Sequence, residues 1–202
     1  FVKPANAGSS VGITKVAFEE QFAAALTWGF NYDHKIIIEE CMIGREIECS
    51  VLGNEHPIAS LPGEVIPQHD FYSYEAKYLD ENGAFFEIPV HLPQDITENI
   101  QKLAVRAYRT LCCEGMARVD FFLKETGELY VNEINTIPGF TKISMYPKLW
   151  EVSGLPFAEL LDRLIILAME RFQKENKLNF NEKIYGKRSD AISTISSRGR
   201  PG

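Results

Sequence analysis

Two periods organise the chain. Apolar residues recur at helical spacing in "AFEEQFAAALTWGF", residues 17–30, and in "ITENIQKLAVRAYRTLCC", residues 96–113, so both predict helices. "SMYPKLWEVSG" and "FAELLDRLIILAMERFQKE" predict two more towards the carboxy end. Elsewhere a period of two prevails. "KIIIEECM" and "REIECSVLGN" predict strands around a turn at Ile43-Gly44, and "HPIASL" offers a third. "GMARVDFFLK" and "LYVNEIN" flank a turn at residues 125–128 and predict an antiparallel hairpin, while Phe1–Lys3 reads as the end of a strand. Residues 64–84 are Tyr-rich, have no period and exceed an ordinary connection, which predicts a functional lid or a disordered stretch. The set predicts an α+β fold with antiparallel strands and helices on one side, and contains no internal repeat.

The hairpin carries the first candidate chemistry. Alternation places Val131, Glu133 and Asn135 on one side of the second strand, and Tyr130, Asn132 and Ile134 on the other. Counting back from the turn, with Lys124 near Leu129, brings Asp120 opposite Glu133. Arg118 and Asp120 are two apart and share a face. Two carboxylates and an amide oxygen so placed suit Mg²⁺, which takes few protein ligands and completes its octahedron with water and phosphate. The alternative is a solvated strand pair with ordinary salt bridges, against which the apolar flanks argue.

Two further stretches add to this. "GSSVG" at residues 8–12 is small enough for backbone N–H groups to approach an anion, with Lys3 at a strand end beside it. It lacks the Lys-Ser/Thr of a Walker A loop, and an ordinary turn is the competing reading. "DFYSYEAKYL", residues 70–79, sets aromatic residues around Lys77, as a lid over a site would, or as a surface loop folded on its own rings would.

Composition narrows the classes. The chain has 202 residues, 45% hydrophobic and 24% charged, enough for one domain or two small ones. A formal charge of −7 argues against nonspecific nucleic-acid binding. No apolar run approaches the ~20 residues of a membrane span, and no secretory leader is visible. Cys41, Cys49, Cys112 and Cys113 form no CxxC pair and read as buried reduced thiols, with the last two inside a helix, which suits a reducing cytoplasm. Residues 181–202 hold five basic and two acidic side chains, so the remainder carries −10.

Together, "VKPANAGSSVG", "IIEECMIGREIECSVLG", "FYSYEAKYL", "GMARVDFF" and "VNEINTIPGFTKISMYP" resemble the carboxy-terminal part of D-alanine–D-alanine ligases, in the ATP-grasp superfamily. The strings occur in family order over residues 1 to about 175. The resemblance implies a partial ATP-grasp fold that uses ATP and two Mg²⁺ or Mn²⁺ ions. It implies ligation of two D-alanine molecules through an acyl phosphate, for peptidoglycan precursors, in a cytoplasmic and homodimeric parent with no nucleic-acid or membrane partner. Lys3 resembles the lysine on the ATP phosphates, and Glu39 and Glu46 acidic residues around the adenosine. Ser9 and Ser10 match the serine loop, Lys77 the lysine on the transferred phosphoryl group, and Tyr78 the lid tyrosine. Asp120, Glu133 and Asn135 match the metal ligands. Arg118 and the Gly139 backbone match the oxyanion pair, and Ser144 with the Met145 N–H the grip on the second alanine's carboxylate.

The resemblance also sets boundaries. Residues 1–60 are expected to be the remainder of a central subdomain, 61–178 the carboxy-terminal subdomain, and 179–202 a tail that is disordered or foreign to the fold. The amino end reads as cut, with the family's amino-terminal domain absent, so the chain alone is expected to make no dipeptide. Ala7 replaces a polar residue of many relatives and Glu40 a lysine of some. A D-serine or D-lactate acceptor, or a non-catalytic module binding nucleotide and Mg²⁺, remains open, although Tyr78 argues against lactate.

Overall fold

The strands sort themselves by what their alternate residues can bury. In the computed structural model, which describes residues 1–8, 10–67, 84–141 and 144–177, they form two antiparallel sheets. The smaller pairs β1 (Val2–Pro4) with β2 (Ile36–Ile38), and α1 (Phe22–Gly29) packs beside it after a 3₁₀ turn at Glu19–Gln21. The larger has six strands: β3 (Arg45–Leu52), β4 (Ile58–Ala59), β5 (Gly63–Pro67), β6 (Ala84–Glu87), β7 (Met116–Leu123) and β8 (Leu129–Asn135). Their order is β6-β5-β3-β7-β8, with β4 also on β3. Three helices complete the body: α2 (Gln94–Thr110), α3 (Met145–Val152) and α4 (Phe157–Asn176).

Along β3 and β7 the odd positions after Arg45 are apolar. Ile47, Cys49, Val51, Ala117, Val119 and Phe121 are buried beneath α2, whose Ile100, Ala104 and Tyr108 recur every four residues. The Tyr108 hydroxyl donates to Gly53 O at 2.7 Å, which satisfies the one polar group on that stripe. Burial pushes that hydroxyl's pKa up.

Four expectations need correction. β2 and β3 do not form a hairpin: at Ile43-Gly44 the chain passes from one sheet to the other, because β3 finds eight partners along β7. The two sheets therefore divide ahead of residue 45. Helices cover both faces, since Leu52 and Met116 turn the opposite way from Val51 and pack with Tyr146 and Trp150 of α3 and Leu160 of α4. The aperiodic stretch begins and ends in strands, because β5 and β6 pair from Glu64↔Glu87 to Pro67↔Ala84. Of the cysteines, all free, only Cys49 is buried. Cys112 lies beyond α2 at φ 52°. Among the described residues no helix is long and apolar enough to cross a membrane.

Candidate functional site

The even positions of β3 and β7 carry the polar side chains. Glu48 stands opposite Asp120, and Ser50 opposite Arg118. Across the next pairing Arg118 faces Asn135 and Asp120 faces Glu133, as the sequence count predicts. The route to that register differs from the expected one. The hairpin closes with Lys124 N–H donating to Glu128 O at 3.0 Å and Gly127 N–H to Lys124 O at 2.9 Å, so Leu123, not Lys124, faces Leu129. Gly127 sits at φ 85°, where a side chain would be strained. A β-bulge then adds one residue, Asn132, between the pairs Phe121↔Val131 and Asp120↔Glu133. Alternation is reset there. Val131 stands opposite Phe121 of the α2 side, and Tyr130 opposite Phe122 on the same face as Glu133, reversing the expected sides of both.

These side chains form one connected cluster. Arg118 grips Asp120 with two parallel bonds, Nε to Oδ1 and Nη2 to Oδ2, both 2.7 Å. Its Nε also lies 3.1 Å from Glu48 Oε2. Asn135 donates to Asp120 Oδ2 at 3.2 Å and to Glu133 Oε1 at 3.0 Å. Burial works against the Arg118 charge, but the bonds to Asp120 and the charges of Asp120, Glu48 and Glu133 outweigh it and raise its pKa. Three carboxylates stand against one guanidinium, a formal balance of −2 that invites a cation. Glu48 is a member that the sequence reading missed. Its signal was present, since it follows Glu46 by two in the same strand and shares its side.

The donor set fits a magnesium ion. Its atoms are hard oxygens from facing strands, although among the described residues no group of three or more His, Cys, Asp or Glu side chains is placed to hold a metal ion by itself. An ion that keeps water and phosphate in its shell asks for such an open set. The Asn135 amide now turns its NH₂ to both carboxylates, so presenting Oδ1 needs a half-turn of that group.

Beside the cluster opens a cleft of about 980 Å³ between the two sheets. It is lined by Lys3, Ser10, Glu39, Glu46 and Glu133 and by apolar Ile13, Ile37, Met42 and Phe122. Lys3 forms an ion pair with Glu39, because β1 and β2 pair Lys3 with Ile37 and leave Glu39 just past the strand end. Ala7 and Glu40 line the same space. The polar ring around an apolar wall suits a flat ligand with a charged tail. Ser9, Lys77 and Tyr78 lie outside the described residues. A second cavity of about 520 Å³, near α4, is lined by side chains already tied to each other, such as Lys174 with Glu55 at 3.0 Å.

Gly139 and Ser144 form a separate knot after β8. A Cβ on Gly139 would stand 3.0 Å from Ser144 Oγ, and that oxygen accepts from Thr141 N–H at 2.9 Å. Ser144 precedes α3, whose first residue, Met145, is buried against Val65 and Leu149.

Known proteins are similar over most of this chain. The family profile described as "D-ala D-ala ligase C-terminus" matches residues 1–166. The D-alanine–D-alanine ligase of Shouchella clausii is 58% identical over 178 residues, 88% of this chain and 48% of its own. D-alanine–D-alanine ligase A of Escherichia coli K12 is 55% identical over the same share of this chain and 49% of its own. Among solved structures, the D-alanine-D-alanine ligase from Coxiella burnetii superposes with a TM-score of 0.79 at 47% identity, covering 88% of this chain and 47% of that one. The VanG D-Ala:D-Ser ligase from Enterococcus faecalis gives 0.75 at 40%, covering 83% and 48%. The chain thus spans about half the length of the relatives it matches.

Proposed function

This chain belongs to the D-alanine–D-alanine ligase carboxy-terminal family, and from that premise we propose that it is the nucleotide- and metal-binding half of an ATP-dependent ligase joining two D-alanines. The observation that carries the reading is the cluster of Arg118, Asp120, Glu133 and Asn135 on one sheet face, whose Glu133 also lines the cleft holding Lys3 and Glu46.

A carboxylate is a poor acyl donor at neutral pH, so amide formation needs an acyl phosphate first. Lys3 exchanges its Glu39 partner for a phosphate oxygen of ATP, and the apolar cleft wall receives the base. Ser9 and Ser10 with Lys77 and Tyr78 are assigned to closing the site and binding the transferred group. Asp120, Glu133 and Asn135 would hold magnesium or manganese, which when bound supplies charge neutralisation on the phosphate oxygens. Attack by the second D-alanine's amine places negative charge on the acyl oxygen. Arg118, fixed by Asp120, and the Gly139 N–H stabilise it, and phosphate leaves. Ser144 and the Met145 N–H hold the acceptor's carboxylate. Residues ahead of β3 are the remainder of the smaller subdomain, and the six-stranded sheet with its helices is the carboxy-terminal one.

The test joins this chain to the amino-terminal half of one of its relatives and measures D-alanine-dependent phosphate release and dipeptide. The chain alone is expected to bind MgATP and make no dipeptide. A folded chimera that releases no phosphate with D-alanine overturns the reading, as does absence of MgATP binding by the chain. D-serine as acceptor is the second reading, since one solved relative, at 40% identity, is a D-Ala:D-Ser ligase. Competition between the two acceptors in the chimera separates them.

A further inference from the structure

The loop between β1 and α1 supplies Ala5, Ala7, Gly8 and Ser10 to the cleft. Its base is closed by Val2 and Thr14, which exchange N–H···O bonds of 2.9 Å in both directions. Among the described residues the loop makes tight turns of its own, with Val11 N–H on Gly8 O at 3.1 Å, and Ala5 N–H donates to Lys35 O at 2.9 Å. Its long-range contacts among the described residues come from 20 to 30 residues further along the chain.

We propose that the Tyr32-Asp33 turn positions the phosphate-binding loop, with Asp33 anchoring its first residues and Tyr32 its last. The proposal rests on reading the cleft as the nucleotide site. Asp33 Oδ2 accepts from the backbone N–H of Asn6 at 2.7 Å and from its side-chain amide at 2.8 Å. Oδ1 accepts from Lys35 N–H at 3.1 Å. The Lys35 bond is an ordinary Asx turn that starts β2. The Asn6 bonds are not local, since they span 27 residues to the root of the loop. The Asp33 side chain keeps only 5% of its exposure, which suits an anchor, and it does not line the cleft.

At the other end Gly12 sits at φ 74°, and a Cβ there would meet Tyr32 Cδ2 at 2.7 Å and Pro4 Cγ at 2.8 Å. The Tyr32 ring is itself braced edge-on by Trp28, centroids 5.2 Å apart. The turn grows directly from the end of α1, with Tyr32 N–H on Gly29 O at 3.0 Å. A rigid helix end thus holds both limbs of a loop whose backbone must meet an anion at fixed spacing, the arrangement that preorganised phosphate cradles need.

The experiment compares the unsubstituted chain with Asp33→Ala and Asp33→Asn, using MgATP and adenosine as probes in a calorimeter, and hydrogen exchange without nucleotide. Asp33→Ala is expected to weaken MgATP by about tenfold and leave adenosine unchanged, because only the phosphates meet the loop. Asp33→Asn should fall between, since one amide oxygen can keep the Asn6 pair. Without nucleotide, the Asn6, Ala7 and Gly8 amides of Asp33→Ala should exchange faster while β3 and β7 keep their protection. Equal exchange in Asp33→Ala and the unsubstituted chain overturns the anchor. Equal loss for adenosine and MgATP reduces Asp33 to a structural role and also overturns it. If the unsubstituted chain prefers MgATP no more than adenosine, the reading of the cleft fails instead, and the loop loses its ligand with it.

Discussion

The two faces of β3 and β7 come from the same residues' alternation and end in opposite fates. On the α2 side, Ile47, Cys49, Val51, Ala117, Val119 and Phe121 are 0–1% exposed. On the other side, Leu52 and Met116 are covered by α3 and α4, while Glu48, Arg118 and Asp120, two to four residues away, are bound to one another. Strand alternation creates two faces, but the covering helices decide how far each is dry. Stability is concentrated on one face and charge on the other. Substitutions should therefore separate the two properties.

The largest stability effect is expected from Phe121→Ala, which leaves a cavity under α2 and should cost about 3–5 kcal/mol in denaturant unfolding. MgATP affinity per folded molecule should stay unchanged. A matching loss of affinity would break the comparison. On the opposite face, Glu133→Gln removes a charge from an exposed side chain and should leave stability within about 0.5 kcal/mol. In a complete ligase carrying this half, turnover should drop about 10²–10³-fold, about 2.7–4 kcal/mol, by analogy with loss of one charge-stabilising group. Near-normal turnover at saturating Mg²⁺ would sink the metal assignment.

Arg118→Lys sharpens the contrast, because it keeps the charge and loses the two-pronged grip on Asp120. Both properties should suffer moderately, by about 1.5–3 kcal/mol in stability and a measurable fall in turnover. An effect on turnover alone would mean that the grip contributes nothing to the fold.

The smallest effect concerns the thiols. Burial pushes the Cys49 thiol up to about 12, with weaker opposition from Ser60. A pKa raised on folding adds stability that is complete below the unfolded value, near 9, and is lost as pH rises towards 12. Alkylation at pH 8 should reach exposed Cys41 and Cys112 and spare Cys49 until the chain unfolds. Modification of Cys49 in the folded chain would show that the α2 face opens.

Elements whose signal is local could be read directly from the chain. The stripe Ile100, Ala104 and Tyr108 announced α2, and the alternation in "GMARVDFF" announced β7 with Arg118 and Asp120 on one side. The sequence also placed Asp120 opposite Glu133, although by a count in which the turn was one residue off and the bulge at Asn132 restored the register. Three features emerge with the folded chain alone: β3 leaves β2 for β7, α3 covers the end of the charged face, and Glu48 joins Arg118. The anchoring of Asn6 by Asp33 belongs with these, for nothing at either position foretells the other. The physical reason is range. Helix and strand periods depend on residues two to four apart and are written in the chain, whereas pairing and cover depend on how much apolar surface distant segments bury together.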